Sequence, residues 1–166
     1  MLIMPMTSKK LETATFGAGC FWGVEETFRT LKGVKGTAVG FMGGHTEIPS
    51  YKDVCNKDTG HAEVVHITFK PSEISYEMLL NVFWENHDPT QYHRQGPDGG
   101  SQYRSVIFYH NPKQKKIAEQ SKKFWSNSGK FEKPIVTEII KAGEFYKAED
   151  YHQKYLMKRG ESSCHA

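Results

Sequence analysis

Residues 13–33 read TATFGAGCFWGVEETFRTLKG, and their punctuation decides how the chain is organised. Thr13 to Ala18 suits a short strand, Val24, Phe28 and Leu31 recur at helical spacing, and Gly33 lies where a helix terminator belongs. Cys20 therefore falls at a glycine-flanked turn from strand to helix. A cysteine that opens a helix has its thiolate favoured by free backbone N–H groups and the positive end of the helix dipole. Two blander readings compete with a nucleophile: a small buried thiol at a turn, and a dinucleotide site. The second needs a third glycine at position 22, which Trp22 occupies.

Outward from this stretch, Val34 to Met42 reads as a second strand, and Gly43-Gly44 opens a loop to Pro49. Ser50 with Asp53 has the form of a capping box over a short helical turn. His61 to Lys70 is a third strand whose alternation puts His61, Glu63, Val65, Ile67 and Phe69 on one face. A helix from about Ser75 to Asn86 carries Tyr76, Leu79, Leu80 and Phe83. From His87 to Gln102 periodicity fails, and a loop of that length inside a domain is expected to be functional. Ser105 to His110 is a strand, Asn111-Pro112 begins a helix with Ile117, Phe124 and Trp125 on one side, and Ile135 to Ile140 is a further strand. Alternating elements of this kind predict an α+β fold, a two-layer sandwich of roughly ferredoxin-like plan in which helices cover a mixed sheet. Long loops and a coil-like C-terminal tail complete it.

The 166 residues suit a single catalytic domain, with residues 1–10 a flexible N-terminus and 157–166 a mobile polar tail carrying Cys164. Hydrophobic residues make up 37% and charged residues 25%, which fits a chain that folds alone. The net charge of +3 is scattered, without a basic stripe interleaved with aromatics, so nucleic acid is not an expected partner. No segment has the length and apolarity of a signal peptide or a membrane span, and three widely spaced cysteines form no disulfide scaffold. A cytoplasmic monomer with reduced thiols, with no membrane contact, is the default expectation.

Two stretches taken together are specific. Gly19-Cys20-Phe21-Trp22-Gly23 followed by Gly60-His61-Ala62-Glu63-Val64-Val65 resembles the paired signature of the methionine sulfoxide reductase A family. The likeness continues through residues 40–44, Tyr51, residues 87–91, Asp98, residues 101–105 and residues 148–153, nearly the whole chain. The resemblance implies reduction of the S epimer of methionine sulfoxide, free or in proteins, to methionine, with electrons supplied by thioredoxin or, in the test tube, dithiothreitol. No metal or organic cofactor is implied.

Sulfoxide reduction needs a thiolate, which Cys20 supplies, and an acid for the departing oxygen. Glu63 shares its strand face with apolar residues, and desolvation favours the neutral carboxyl that can act as that acid. The resemblance carries oxygen-binding hydroxyls onto Tyr51 and Tyr103, and an orienting role onto Asp98. Phe21 and Trp22 could form the pocket for the substrate methyl group, since sulfur and methyl groups pack well on aromatic rings, although ordinary core packing explains them equally. Attack by Cys20 leaves a sulfenic acid, and Cys164 is the expected resolving thiol that condenses with it. Cys55 reads as a structural or secondary thiol.

Two other functions are compatible with parts of the sequence. A cysteine hydrolase or acyl transferase would pair Cys20 with a base such as His61, His87 or His152, though no spacing links them. A metal-binding module would use Cys55, His61 and His66; that spacing fits no zinc pattern, and the two histidines point to opposite faces of one strand.

Overall fold

The computed structural model describes residues 10–161. Its frame is a six-stranded sheet. The strands are β1 (Glu12–Ala18), β2 (Val34–Met42), β3 (Ala62–Phe69), β6 (Ser105–Tyr109), β7 (Glu138–Lys141) and β8 (Tyr146–Lys147), and a small separate hairpin joins β4 (Arg94–Gln95) to β5 (Asp98–Gly99). The order across the sheet is β7-β6-β1-β3-β2-β8. Among its inner four strands every neighbouring pair is antiparallel and the order is ferredoxin-like, while β7 adds parallel to β6 and makes the sheet mixed. The expected fold class is therefore the observed one.

The helices α1 (Phe21–Arg29), α2 (Tyr51–Asn56), α3 (Tyr76–Glu85), α4 (Pro112–Ser126) and α5 (Tyr155–Arg159) alternate with the strands. Their starts obey local chemistry. Ser50 and Asp53 form the full capping box on α2, Ser75 caps α3, and Asn111 caps α4 ahead of Pro112. Gly33, at φ +98°, turns the chain out of the first helix into β2.

The alternation of β3 sorts its side chains as expected. Val65, Ile67 and Phe69 join Phe16, Phe28, Leu79 and Phe83 in the core beneath the helices, whereas Ala62 and Val64 turn to a second cluster with Met42, Val106 and Phe108. A third cluster, Phe21 with Val39, Phe41, Val54 and Ala148, lies under Trp22 and Tyr51.

Three expectations are corrected. The strand placed over 135–140 runs from Glu138 to Lys141, because Val136 N–H donates to Pro89 O at 2.9 Å and Thr137 Oγ1 bonds Ser105 Oγ at 2.7 Å, which ties these residues to neighbouring segments before the ladder begins. Phe124 is 69% exposed, since the inward row of α4 runs through Gln114, Ala118 and Ser121 to Trp125, and the preceding residue is turned away by about 100°. The tail expected as coil from residue 157 is helical through Arg159, anchored by buried Leu156. Cys164 and the N-terminal segment 1–9 lie outside the described residues.

Candidate active site

Cys20 is the N-cap of α1 and is half-buried. The turn that puts it there depends on Gly19, whose φ of +103° leaves the side chain of Gln95 where a Cβ would sit, 2.8 Å from Gln95 Cγ. Gln95 is fixed in turn: its Oε1 accepts the Asp88 N–H and its Nε2 donates to Asp88 O, both at 2.9 Å. The region from His87 to Gln102, expected as a functional loop, is thus ordered by its own hairpin and side-chain bonds and closes over the head of α1.

Glu63 is 1% exposed. Its Oε1 accepts the Phe21 N–H, the first amide of α1, at 3.2 Å, and its Oε2 faces Gln102 Nε2 at 3.5 Å. Gln102 also donates to Cys55 Sγ at 3.4 Å. The phenol of Tyr51 is hydrogen-bonded to Cys55 as well, so Cys55, exposed at the end of α2, stands at the rim of this group.

Burial pushes the Tyr51 phenol well above its usual range, with Cys55 and Glu63 adding to the shift. Burial does the same for Tyr103, reinforced by Glu63, Cys55, Asp98 and Cys20, which brings those four groups within electrostatic reach of one phenol. Both tyrosines therefore remain hydrogen-bond donors throughout the neutral and alkaline range. Asp98 lies on β5 and borders, with Cys20, a cavity of about 390 Å³ lined further by Val24, Phe28, Phe83 and Asn86. Glu63, Tyr51 and Tyr103 do not line that cavity; Cys20 borders both regions.

Phe21 is wholly buried, and its ring backs Tyr51 with centroids 6.2 Å apart. Trp22 is half-buried, with its ring 6.5 Å from Tyr51 and stacked at 3.9 Å on Tyr155. Its indole N–H donates to His152 Nδ1 at 2.9 Å. That bond requires a neutral imidazole, and burial lowers the His152 pKa. His152 Nε2 has no hydrogen-bond partner among the described residues, and Glu149 Oε1 stands 4.0 Å away.

Every expected site residue within 10–161 is thus grouped around the start of α1. Gln102, Gln95 and the packing role of His152 are additions. Gln102 and His152 fall inside the stretches that carried the family likeness, but nothing in residue type or spacing marks their partners.

The rival arrangements are not assembled. His61 uses Nδ1 to accept the Gly44 N–H and Nε2 to reach Thr46 O, His87 bonds Phe83 O and Ser105 Oγ, and His152 serves Trp22, so the three candidate bases are committed elsewhere. His66 bonds Thr15 on the far side of β3 from His61, so Cys55, His61 and His66 share no centre. No helix among the described residues is long and apolar enough to cross a membrane.

Residues 12–166 match the family model described as peptide methionine sulfoxide reductase. The chain is 60% identical over 156 residues to "Peptide methionine sulfoxide reductase MsrA" of Methanoculleus marisnigri, covering 94% of this chain and 95% of that one. Among solved structures it resembles reduced Mxr1 of Saccharomyces cerevisiae with a TM-score of 0.87 at 35% identity, covering 94% of this chain and 90% of that chain. The same yeast protein in complex with Trx2 superposes with a TM-score of 0.62 at 25% identity, covering 89% and 86%.

Proposed function

The chain belongs to the peptide methionine sulfoxide reductase family, oxidoreductases that reduce methionine sulfoxide at the expense of thiols, and on that premise we propose that Cys20 attacks the sulfur of the S epimer with Glu63 as the acid. The observation that carries this assignment is the bond from Phe21 N–H to Glu63 Oε1, which holds a 1% exposed carboxyl one residue from the Cys20 thiol. A carboxyl so removed from water resists ionisation and can hold the proton that the sulfoxide oxygen needs.

In the first step the Cys20 thiolate bonds to the sulfoxide sulfur and Glu63 protonates the oxygen. Tyr51 and Tyr103 donate hydrogen bonds to that oxygen as its charge grows, and Asp98 orients the site. Trp22 and Tyr51 offer ring faces to the methyl group, with Phe21 supporting them from beneath. The hydroxyl so formed passes from the substrate sulfur to Cys20 as the sulfur–sulfur bond breaks; two electrons thereby go from Cys20 to the substrate, methionine leaves, and Cys20 becomes a sulfenic acid. Cys164 then condenses with it, giving a disulfide and one water. A dithiol protein of the thioredoxin type restores the thiols, a role supported by the complex of yeast Mxr1 with Trx2. The working unit is a cytoplasmic monomer acting on free methionine sulfoxide and on oxidised side chains in proteins.

The proposal is tested by trapping. A Cys164→Ser variant, mixed with excess methionine sulfoxide and no reductant, should release one methionine per chain and acquire a dimedone adduct on Cys20 visible by peptide mass. An adduct on Cys55 instead would reassign the nucleophile.

A further inference from the structure

The stripe of α1 that begins at Cys20 continues through Gly23 and Val24 to Thr27 and Phe28, residues three and four apart that share one face of the helix. It forms one wall of the cavity of about 390 Å³ that Cys20 and Asp98 border. The end of α3, with Phe83 and Asn86, forms a second wall, and the β4–β5 hairpin with its Gly96-Pro97 turn forms a third. The result is a groove with Cys20 at one end and Phe28 about 12 Å away along the helix axis. The proposed oxygen and methyl partners Glu63, Tyr51, Tyr103 and Trp22 all lie outside it.

The polar side chains of the groove are largely engaged within the fold. Thr27 Oγ1 donates to Gly23 O at 3.1 Å, and Gln95 is bonded through both ends of its amide to Asp88 at 2.9 Å. His87 bonds Phe83 O at 2.6 Å and Ser105 Oγ at 2.7 Å, and burial keeps its imidazole neutral. Among the lining residues Asp98 is the sole carboxyl group, and there is no lysine or arginine. What the groove offers a visitor is therefore the apolar surface of Val24, Phe28, Phe83 and Pro97. Its volume is at the small end of the range for ligand cavities, roughly 300–1,000 Å³.

We propose that this groove is a subsite for the polypeptide around the oxidised methionine, taking one uncharged apolar side chain, of the leucine or phenylalanine type, from a residue within two positions of it. The inference rests on the reading of Cys20 as the nucleophile that reduces methionine sulfoxide. Continuity with that site decides the occupant. Successive Cα atoms are about 3.8 Å apart, so residues next to a methionine sulfoxide held at Cys20 lie within a side chain's reach of a groove that shares the same cysteine. An apolar side chain leaves water for ring and aliphatic surface, whereas an aspartate or glutamate meets Asp98 with no cation to offset it.

Initial rates with dithiothreitol on S epimers separate the subsite from the chemistry. The probes are N-acetylmethionine sulfoxide amide and blocked pentapeptides of glycine around a central methionine sulfoxide, with leucine or glutamate replacing one flanking glycine at a time. At one flanking position leucine should raise kcat/KM about tenfold over glycine, mainly through KM, and glutamate should lower it. Thr27→Trp, which places an indole in the groove, should erase the leucine advantage and leave kcat/KM for N-acetylmethionine sulfoxide amide at the wild-type value. Asn86→Trp enters from the opposite wall and should do the same if Thr27→Trp fails to fold. Equal kcat/KM for leucine and glutamate peptides at every position, a leucine advantage that survives a folded tryptophan variant, or equal slowing of the small substrate would overturn the subsite. So would a variant whose only change is a raised KM for a dithiol protein of the thioredoxin type, since the groove would then belong to the reductant. Failure of the wild type to reduce N-acetylmethionine sulfoxide amide would instead overturn the assignment of Cys20, and the subsite with it.

Discussion

The backbone amide of Phe21 and the carboxyl of Glu63, 42 positions apart in sequence, are joined by a 3.2 Å hydrogen bond at the head of α1. The bond caps a helix that begins at a cysteine and lacks a side-chain cap of its own. It also holds the proposed acid beside the residue that follows Cys20, so the capping function of Glu63 and its proposed proton-donating function should respond differently to substitution. Glu63→Gln keeps an acceptor for Phe21 N–H but has no proton to give. It should leave the melting temperature nearly unchanged and slow methionine release about a hundredfold or more in rapid-quench assays. Glu63→Leu should in addition lose about 1–3 kcal/mol of stability in urea titration, because the Phe21 amide is left buried without a partner.

Tyr51 and Tyr103 are held in their neutral, donating form by burial and by the acidic groups around them. Each phenylalanine substitution should lower kcat about tenfold to a hundredfold, and the double variant should fall short of the product of the two, since in the proposed mechanism both hydroxyls donate to one oxygen. The sign of the raised pKa fixes a stability effect as well. The folded state favours the neutral phenol, so the contribution is complete below pH 10 and declines as pH rises through the folded-state value. Difference absorbance at 295 nm between wild type and Tyr103→Phe should show no phenolate near pH 10 while the protein stays folded.

Gly19 carries the turn on which Cys20 sits. Gly19→Ala combines a φ of +103° with a Cβ only 2.9 Å from Gln95 Cβ, an atom near the backbone that cannot swing aside. Thermal and urea melts should report a loss of about 2–3 kcal/mol. Activity should drop beyond the folded fraction, because the displaced Gln95 also holds Asp88.

His87 is kept neutral, with burial lowering its pKa to about 4 against the weaker opposing effects of Phe83 O and Asp88. A depressed histidine pKa contributes stability that is complete above the unfolded value near 6.5 and is lost as pH falls toward 4. Because the residue is partly exposed, the loss between pH 7 and 4.5 should be on the order of 1–2 kcal/mol. Urea midpoints across that range should flatten in His87→Gln.

Much of this site is legible in the amino-acid sequence. Cys20 and Glu63 stand out because strand alternation and the glycine-flanked turn constrain both backbone and environment, and each residue has a chemistry rare in its setting. Tyr51, Tyr103 and Asp98 carry no such signal. Their proposed roles depend on contacts between segments far apart in sequence, and only the family likeness singles them out. Gln102 and Gln95 escape for the same reason: a glutamine whose partners are the carboxyl, sulfur or backbone of another segment looks like any polar residue. The shifted start of β7 has a similar cause, because Ile135 and Val136 have the composition of a strand while Val136 N–H is taken by Pro89 O. Phe124 shows the limit of helical periodicity, which marks a stripe but not its edge.

The central claim is that Cys20 reduces one epimer of methionine sulfoxide. The direct measurement is methionine release from separate S and R epimers by the reduced protein with dithiothreitol, beside a Cys20→Ser variant shown by circular dichroism to be folded. The account predicts turnover of the S epimer, none of the R epimer, and none in the variant. Turnover that survives in Cys20→Ser, or that favours the R epimer, would contradict it.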